Sequence, residues 1–300
     1  NEILNNSLTK QAYYDENLYN CYPWARTVKV MNPLSSDLGV MRQTLLFGGL
    51  ESIVRNVNRK ARNLRFFEVG NVYHFDEERY TTESPIKAYQ QRYHLALWVT
   101  GHRVEGNWAH PDEESSFFEL KAYVENVLRR VGLQAGQVVT EVSDNNIFAT
   151  GLRMKTRGGK VLVDMGIVNH HVLRRFDIEQ PVYYAEIDWT ELMKATRKNC
   201  LLFQELSKYP AVSRDLALLV DANVEFAQIE QIARQTEKKL LKQVVLFDVY
   251  QGKNLPEGKK SYAVNFILQD ESRTLTDKAI EAIMQKLMKN LTTKLHAELR

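Results

Sequence analysis

The sequence predicts an α+β protein in two parts: a mainly antiparallel sheet with a few helices over residues 1–205, then a β-α-β-β-α-β unit over residues 206–300. Three observations predict it. Short apolar runs joined by hairpin-like turns recur through the first part, which favours antiparallel pairing. Two helical stripes alternate with strand-like runs in the second part. Between them the pattern changes at Tyr209-Pro210.

The elements follow in order. Residues 1–30 are polar and aromatic, with Tyr13, Tyr14, Tyr19, Tyr22 and Trp24, and Asn32-Pro33-Leu34-Ser35 marks a turn. Leu46, Leu50, Ile53, Val54 and Val57 follow helical spacing, so residues 43–61 read as an amphipathic helix. Its polar positions, Arg55, Asn58, Arg59 and Arg62, form a solvated face or a partner surface. Arg65 to Phe75 reads as a strand pair or a bulged strand, because Gly70-Asn71 sits in its middle. His94 to Gly101 is a further strand. Ser116 and Glu119 fit a capping box for a helix with the stripe Leu120, Val124, Val127, Leu128 and Val131, which Gly132 ends. Two strands around Gly158-Gly159 form a hairpin, and Val182 to Ile187 is the last strand before a short helix.

In the second part, Leu216 to Val220, Val244 to Tyr250 and Tyr262 to Leu268 are strands. Ile229, Ile232, Ala233, Thr236 and Leu240 mark one helix, and Ile280, Ile283, Met284, Leu287 and Leu291 the other. Thr276 caps the latter with Asp277 in its first turn, and residues 295–299 supply a final strand. That order is the ferredoxin-like split βαβ unit.

Composition bounds the functions. A chain of 300 residues with 44% hydrophobic and 26% charged residues has the make-up of a globular protein with more than one core. The net charge of +3 is too small to argue for nucleic acid by itself. Its placement says slightly more: residues 206–300 hold 15 Lys and Arg against 12 Asp and Glu, while residues 1–205 hold 25 of each. Two distant cysteines, Cys21 and Cys200, suggest neither a disulfide framework nor a zinc site, which fits a reducing cytoplasm. No apolar run approaches a membrane span and no signal peptide is visible, so no membrane partner is expected. The start at Asn1 without Met reads as a piece of a longer polypeptide.

Four segments of the second part resemble a known domain: Ser207 to Ala217, Leu246-Phe247-Asp248-Val249-Tyr250-Gln251-Gly252, Leu255 to Ser261, and Arg273-Thr274-Leu275. Together they resemble the ferredoxin-fold anticodon-binding domain that closes the bacterial phenylalanyl-tRNA synthetase β subunit. Upstream, Asn32-Pro33-Leu34-Ser35, Met41-Arg42, Leu45-Leu46, Phe67-Glu68-Val69-Gly70 and Phe117-Phe118-Glu119-Leu120-Lys121 resemble the class II synthetase-like domain of the same subunit. The resemblance covers essentially the whole chain; the subunit's editing module is absent from it. It implies a phenylalanine–tRNA ligase that uses ATP and magnesium as a heterotetramer, with an α subunit and tRNA-Phe as partners.

It also implies that this chain does not catalyse alone. Class II chemistry holds the ATP α-phosphate with an Arg two residues before a strand Glu, neutralising charge that develops on activation. In Arg65-Phe66-Phe67-Glu68 that position is Phe66. The region of the glycine-rich element, Gly166 to Arg174, has a single glycine, although Arg174 can stand where a second arginine belongs. The expectation is a pseudo-catalytic domain with no cofactor of its own. The helix at 43–61 and the segment Asn32 to Arg42 are candidates for the α-subunit contact, or simply pack on their own sheet. An enzyme in its own right, using Glu68 and Arg174, and a stand-alone RNA-binding protein are the alternatives. His94, His102 and His110, spaced by eight, and the adjacent His170-His171 read as scattered surface histidines rather than convergent metal ligands. Asp112-Glu113-Glu114 reads as a solvated acidic loop.

Single-stranded bases are read by stacking on aromatic rings and by edge hydrogen bonds. Helices cover one face of a split βαβ sheet, and strand alternation sorts side chains between the faces. Alternation puts Val245, Phe247 and Val249 on the covered face with Tyr262, Val264, Phe266 and Leu268. The open face then carries Asp248, Tyr250, Ser261, Ala263 and Asn265. The resemblance adds that the family's anticodon-contacting Tyr and Ser match Tyr250 and Ser261, with Asp248 two residues before the Tyr. Arg214, Lys253, Lys259 and Lys260 are nearby cations for phosphates, though each lysine alone reads as part of a solvated loop.

Overall fold

A computed structural model describes the chain except residues 16–18, 134, 201–202, 204, 253–254 and 300. It divides into two compact units, Asn1–Leu201 and Leu202–Arg300. No helix among the described residues is long and apolar enough to cross a membrane.

The first unit runs β1 (Leu8–Thr9), β2 (Val40–Met41), α1 (Leu46–Val57), β3 (Leu64–Phe75), β4 (Tyr89–Thr100), β5 (His102–Val104), β6 (Glu113–Glu114), α2 (Phe117–Arg130), β7 (Val138–Val142), β8 (Phe148–Thr156), β9 (Val161–Val168), α3 (His170–Arg174), β10 (Val182–Asp188) and α4 (Trp189–Thr196). Six strands form one antiparallel sheet in the order β3-β4-β10-β9-β8-β7. Strand alternation gives it two apolar faces. One face packs Phe66, Trp98 and Tyr184 against Leu46, Phe47, Leu50 and Ile53 of α1 and against the aromatic residues of the first thirty. The other packs Leu95, Val99, Val163, Met165 and Ile187 against Leu120, Val124 and Leu128 of α2 and Leu192 of α4. Gly49 makes the first contact close: a Cβ there would land inside the Trp98 indole.

Two local expectations are corrected. β3 has no bulge at Gly70-Asn71; its register with β4 is unbroken from Leu64↔Thr100 to Phe75↔Tyr89. Gly70 answers a different need, since a Cβ there would strike the Arg42 guanidinium. At α2 the capping box is half made. Ser116 Oγ accepts from the Glu119 N–H at 3.3 Å, but the Glu119 carboxylate turns away to Arg65 at 3.1 Å and Tyr123 at 2.9 Å. A charged partner outcompetes the neutral backbone N–H.

The second unit runs β11 (Val212–Asp221), α5 (Phe226–Thr236), β12 (Leu241–Tyr250), β13 (Lys259–Leu268), α6 (Asp277–Leu295) and β14 (Glu298–Leu299). Its sheet has the order β12-β13-β11-β14. Thr276 caps α6 by accepting from the Ala279 N–H, and a Glu225–Gln228 capping box starts α5. Both helices pack on one face: Ile229, Ile232, Ala233, Ile280, Met284, Leu287 and Leu291 meet Leu218, Val244, Val264, Phe266 and Leu268.

Two predictions test the first unit, where all four tryptophans lie, so tryptophan fluorescence follows its unfolding. Gly49→Ala is expected to destabilise it by about 1–3 kcal/mol through overpacking against Trp98, read as a lower urea midpoint. The second concerns His74 on β3, whose pKa is pushed down from 6.5 to about 3 by burial first and then by Arg26, His94 and Arg92. Between those pH values the unfolded chain takes up a proton that the folded chain refuses. His74 therefore supports stability above the ordinary histidine pKa, and that support is lost as pH falls, by at most about 1.4 kcal/mol per pH unit. Urea titrations from pH 7 to pH 5 are expected to show a shallower loss for His74→Gln than for the wild type.

Candidate nucleic-acid interface

The open face of the second sheet follows from its registers. Tyr250, Ser261 and Leu219 form one cross-strand row, Asp248, Ala263 and Ala217 the next, and Val245, Asn265 and Asp215 the third. The interleaved rows face the helices: Val249–Tyr262–Leu218, Leu246–Val264–Leu216 and Val244–Phe266–Arg214. Directly paired residues in an antiparallel ladder share a face. Asp248, Tyr250, Ser261, Ala263 and Asn265 thus lie together on the face away from α5 and α6.

The expectation for Val245, Phe247 and Val249 is corrected. The β12–β13 register shifts between Leu246 and Asp248, which leaves Phe247 as an extra residue, 57% exposed. A bulge resets the alternation. Val245 therefore lies on the open face opposite Asn265, while Leu246 joins the covered face; Val249 stays on the helix side of the sheet opposite Tyr262 but is 49% exposed and not packed into the core.

The Tyr250 ring sits on the edge strand, 38% exposed. Ser261 is 7% exposed and forms the floor of its row between Tyr250 and Leu219. Asp248 and Asp215 are exposed, and Asn265 is half-buried. The Asn265 amide nitrogen donates to the Asp215 carboxylate and to Ser213 Oγ.

The expected cations are placed differently. Arg214 pairs in register with the buried Phe266, on the helix side, and its guanidinium lies 3.9 Å from Asp277 at the start of α6. It does not join Tyr250, because Arg214 and its neighbours Ser213 and Asp215 necessarily point to opposite faces. Lys259 is held by Glu298, whose carboxylate raises the lysine pKa. Lys260 is 9% exposed, with its ammonium 4.8 Å from the centre of the Tyr262 ring on the covered side. Lys253 lies outside the described residues.

In the first unit, Phe66 is 6% exposed inside the core. Glu68 is 1% exposed and bound by Arg42 at 2.6 Å and by the Asn5 side chain at 2.6 Å. Arg174 is exposed on α3 and donates to His170 Nε2 at 3.2 Å. His94 is not a surface histidine: its Nδ1 lies 2.8 Å from Glu186, and its side chain is 14% exposed. Burial pushes the Glu186 pKa up, but hydrogen bonds from His94, Thr44 and Tyr184 outweigh it and hold the carboxyl below its ordinary value. His94, Tyr184 and Glu186 line a cavity of about 380 Å³ together with Arg92, Asp164 and Asp188. Glu113 and Glu114 are exposed as expected, although they form the short strand β6. Among the described residues no cluster of His, Cys, Asp or Glu has the geometry of a metal site.

Two known families match successive stretches of the chain. Residues 1–189 match the family described as phenylalanyl tRNA synthetase beta chain CLM domain, and residues 207–300 match the ferredoxin-fold anticodon binding domain. The chain is 58% identical over its whole length to the phenylalanine–tRNA ligase beta subunit of Bacteroides thetaiotaomicron, and 57% identical to that of Bacteroides fragilis. It spans 36% of the length of each. Among solved structures, a pyrrolysyl tRNA synthetase of Desulfitobacterium hafniense shows 13% identity and a TM-score of 0.45, covering 66% of this chain and 63% of that one. The chain belongs to the phenylalanyl-tRNA synthetase β-chain family and ends in that family's ferredoxin-fold anticodon-binding domain.

Proposed function

We propose that this chain serves phenylalanine–tRNA ligase by offering the open face of its small sheet to the tRNA-Phe anticodon, while an α subunit carries amino-acid activation with ATP and magnesium. The observation that carries the reading is the Tyr250 ring, exposed on that face beside Asp248 and above Ser261. An unpaired base stacks on such a ring whatever its sequence, and the flanking polar groups supply edge contacts. The sheet has room for a base because α5 and α6 occupy the opposite face.

Two features support leaving catalysis to the partner. Phe66 offers no charge to a phosphate, and Glu68 already spends its oxygens on Arg42 and Asn5. For the α-subunit contact, the segment before α1 exposes Met31 at 92% and Leu34 at 98%. An apolar side chain left in water gains free energy when a partner covers it, which makes this segment a candidate contact. α1 itself buries Leu46, Phe47, Leu50 and Ile53 in its own core, so its inner face serves the sheet.

Tyr250→Ala is expected to weaken binding of a tRNA-Phe anticodon stem-loop by about 1–3 kcal/mol, measured by filter binding. Unchanged affinity would remove Tyr250 from the site. A Met31→Asp, Leu34→Asp double variant of the full β subunit is expected to lose co-purification with α while remaining folded. Retained co-purification would point away from this segment. ATP–pyrophosphate exchange by the isolated chain would overturn the division of labour.

A further inference from the structure

Midway along the open face, β11 and β13 bring Ser213, Asp215 and Asn265 side by side. A carboxylate only accepts hydrogen bonds, so the Asn265 atom facing Asp215 must be its nitrogen, and the amide orientation is fixed by chemistry. The same nitrogen also donates to Ser213 Oγ, which uses its second hydrogen. The carbonyl Oδ1 of Asn265 and the second carboxylate oxygen of Asp215 take no hydrogen bond among the described residues. What is left for a partner is a group of acceptors. The neighbours on the same face are Val245, Ala217, Ala263 and Ile267, small or apolar side chains against which a flat ring can lie.

We propose that Asn265, locked by Asp215, is a specificity residue of this surface that accepts a hydrogen bond from the exocyclic amino group of a single-stranded base. This rests on the reading of the face as RNA-binding. Adenine, cytosine and guanine carry such a group. Uracil does not: its one edge N–H sits between two carbonyl oxygens, which a carboxylate repels. The surface therefore favours amino-bearing bases, and it does so without a cation on this row. Asp215 has two effects, since it removes the alternative amide orientation and adds negative charge where an amino group carries partial positive charge.

Fluorescence anisotropy of the whole 300-residue chain with two labelled RNA hexamers tests this. One is adenosine throughout; the other is purine riboside throughout, which lacks only the amino group. The wild type is expected to bind the adenosine oligomer about tenfold more tightly, the worth of one hydrogen bond to a partly charged pair. Asp215→Asn is nearly isosteric and frees the amide to turn, so the ratio is expected to fall towards one. Asn265→Ala is expected to narrow it as well, and thermal melts establish that each variant is folded. Tyr250→Ala is expected to weaken both oligomers alike and leave the ratio standing. Equal binding of the two oligomers by the wild type, or an unchanged ratio in folded Asp215→Asn, overturns the role of Asn265 while leaving RNA binding intact. Failure of both oligomers to bind overturns both readings.

Discussion

One residue too many in an edge strand decides which side of the small sheet holds which side chains. Up to Leu246, β12 sends Val244 and Leu246 towards the helices. Continued alternation would send Asp248 and Tyr250 the same way. Phe247 absorbs the mismatch, and from Asp248 onward the polar residues lie on the open face while Val249, 49% exposed, lies on the helix side opposite Tyr262. The alternative is costly, because an unpaired carboxylate under the helices would lose its water without compensation. The bulge thus lets a single strand complete a hydrophobic core with its first half and furnish an exposed ring with its second.

The first unit solves a different problem. Its sheet face under α1 carries two deeply placed carboxylates, Glu68 and Glu186. Desolvation alone would drive such groups towards their neutral form. Each instead gathers several donors from distant stretches of the chain: Arg42 and Asn5 for Glu68, and His94, Thr44 and Tyr184 for Glu186. A buried ion pair adds little net stability over an apolar replacement, but breaking one is expensive because the other charge is left alone. The consequence is register. Asn5, Arg42 and Thr44 are held against β3 and β10 by bonds that fix their alignment.

Much of this architecture was legible from residue order. The helical stripes of α1, α2, α5 and α6 were clear because each repeats its apolar positions over several turns, and tertiary packing used those stripes, except that α5 ends at Thr236 and leaves Leu240 in the turn before β12. Thr276 and Ser116 were readable as caps because a cap needs only local geometry. What failed were inferences that needed a partner from elsewhere. Gly70 looked like a bulge until Arg42 supplied the reason for a missing side chain. Glu119 looked like half of a capping box until Arg65 claimed it. His94 looked like a surface residue because nothing near it in sequence announces Glu186.

The candidate site divides in the same way. Sequence by itself determined the two-part α+β plan and the cap residues, and within single strands it put Asp248 with Tyr250 and Ser261 with Ala263 and Asn265; the bulge at Phe247 is what brings the two sets to one open face. Only the tertiary structure decided that Val245 faces outward, that Leu246 faces in, and that Arg214 reaches Asp277 rather than the open face. The physical reason is that periodicity assigns a side chain to a face only while the ladder stays in step. Where a bulge slips the ladder, or where a charge finds its counter-ion across the fold, the outcome depends on atoms that are neighbours in space and strangers in sequence.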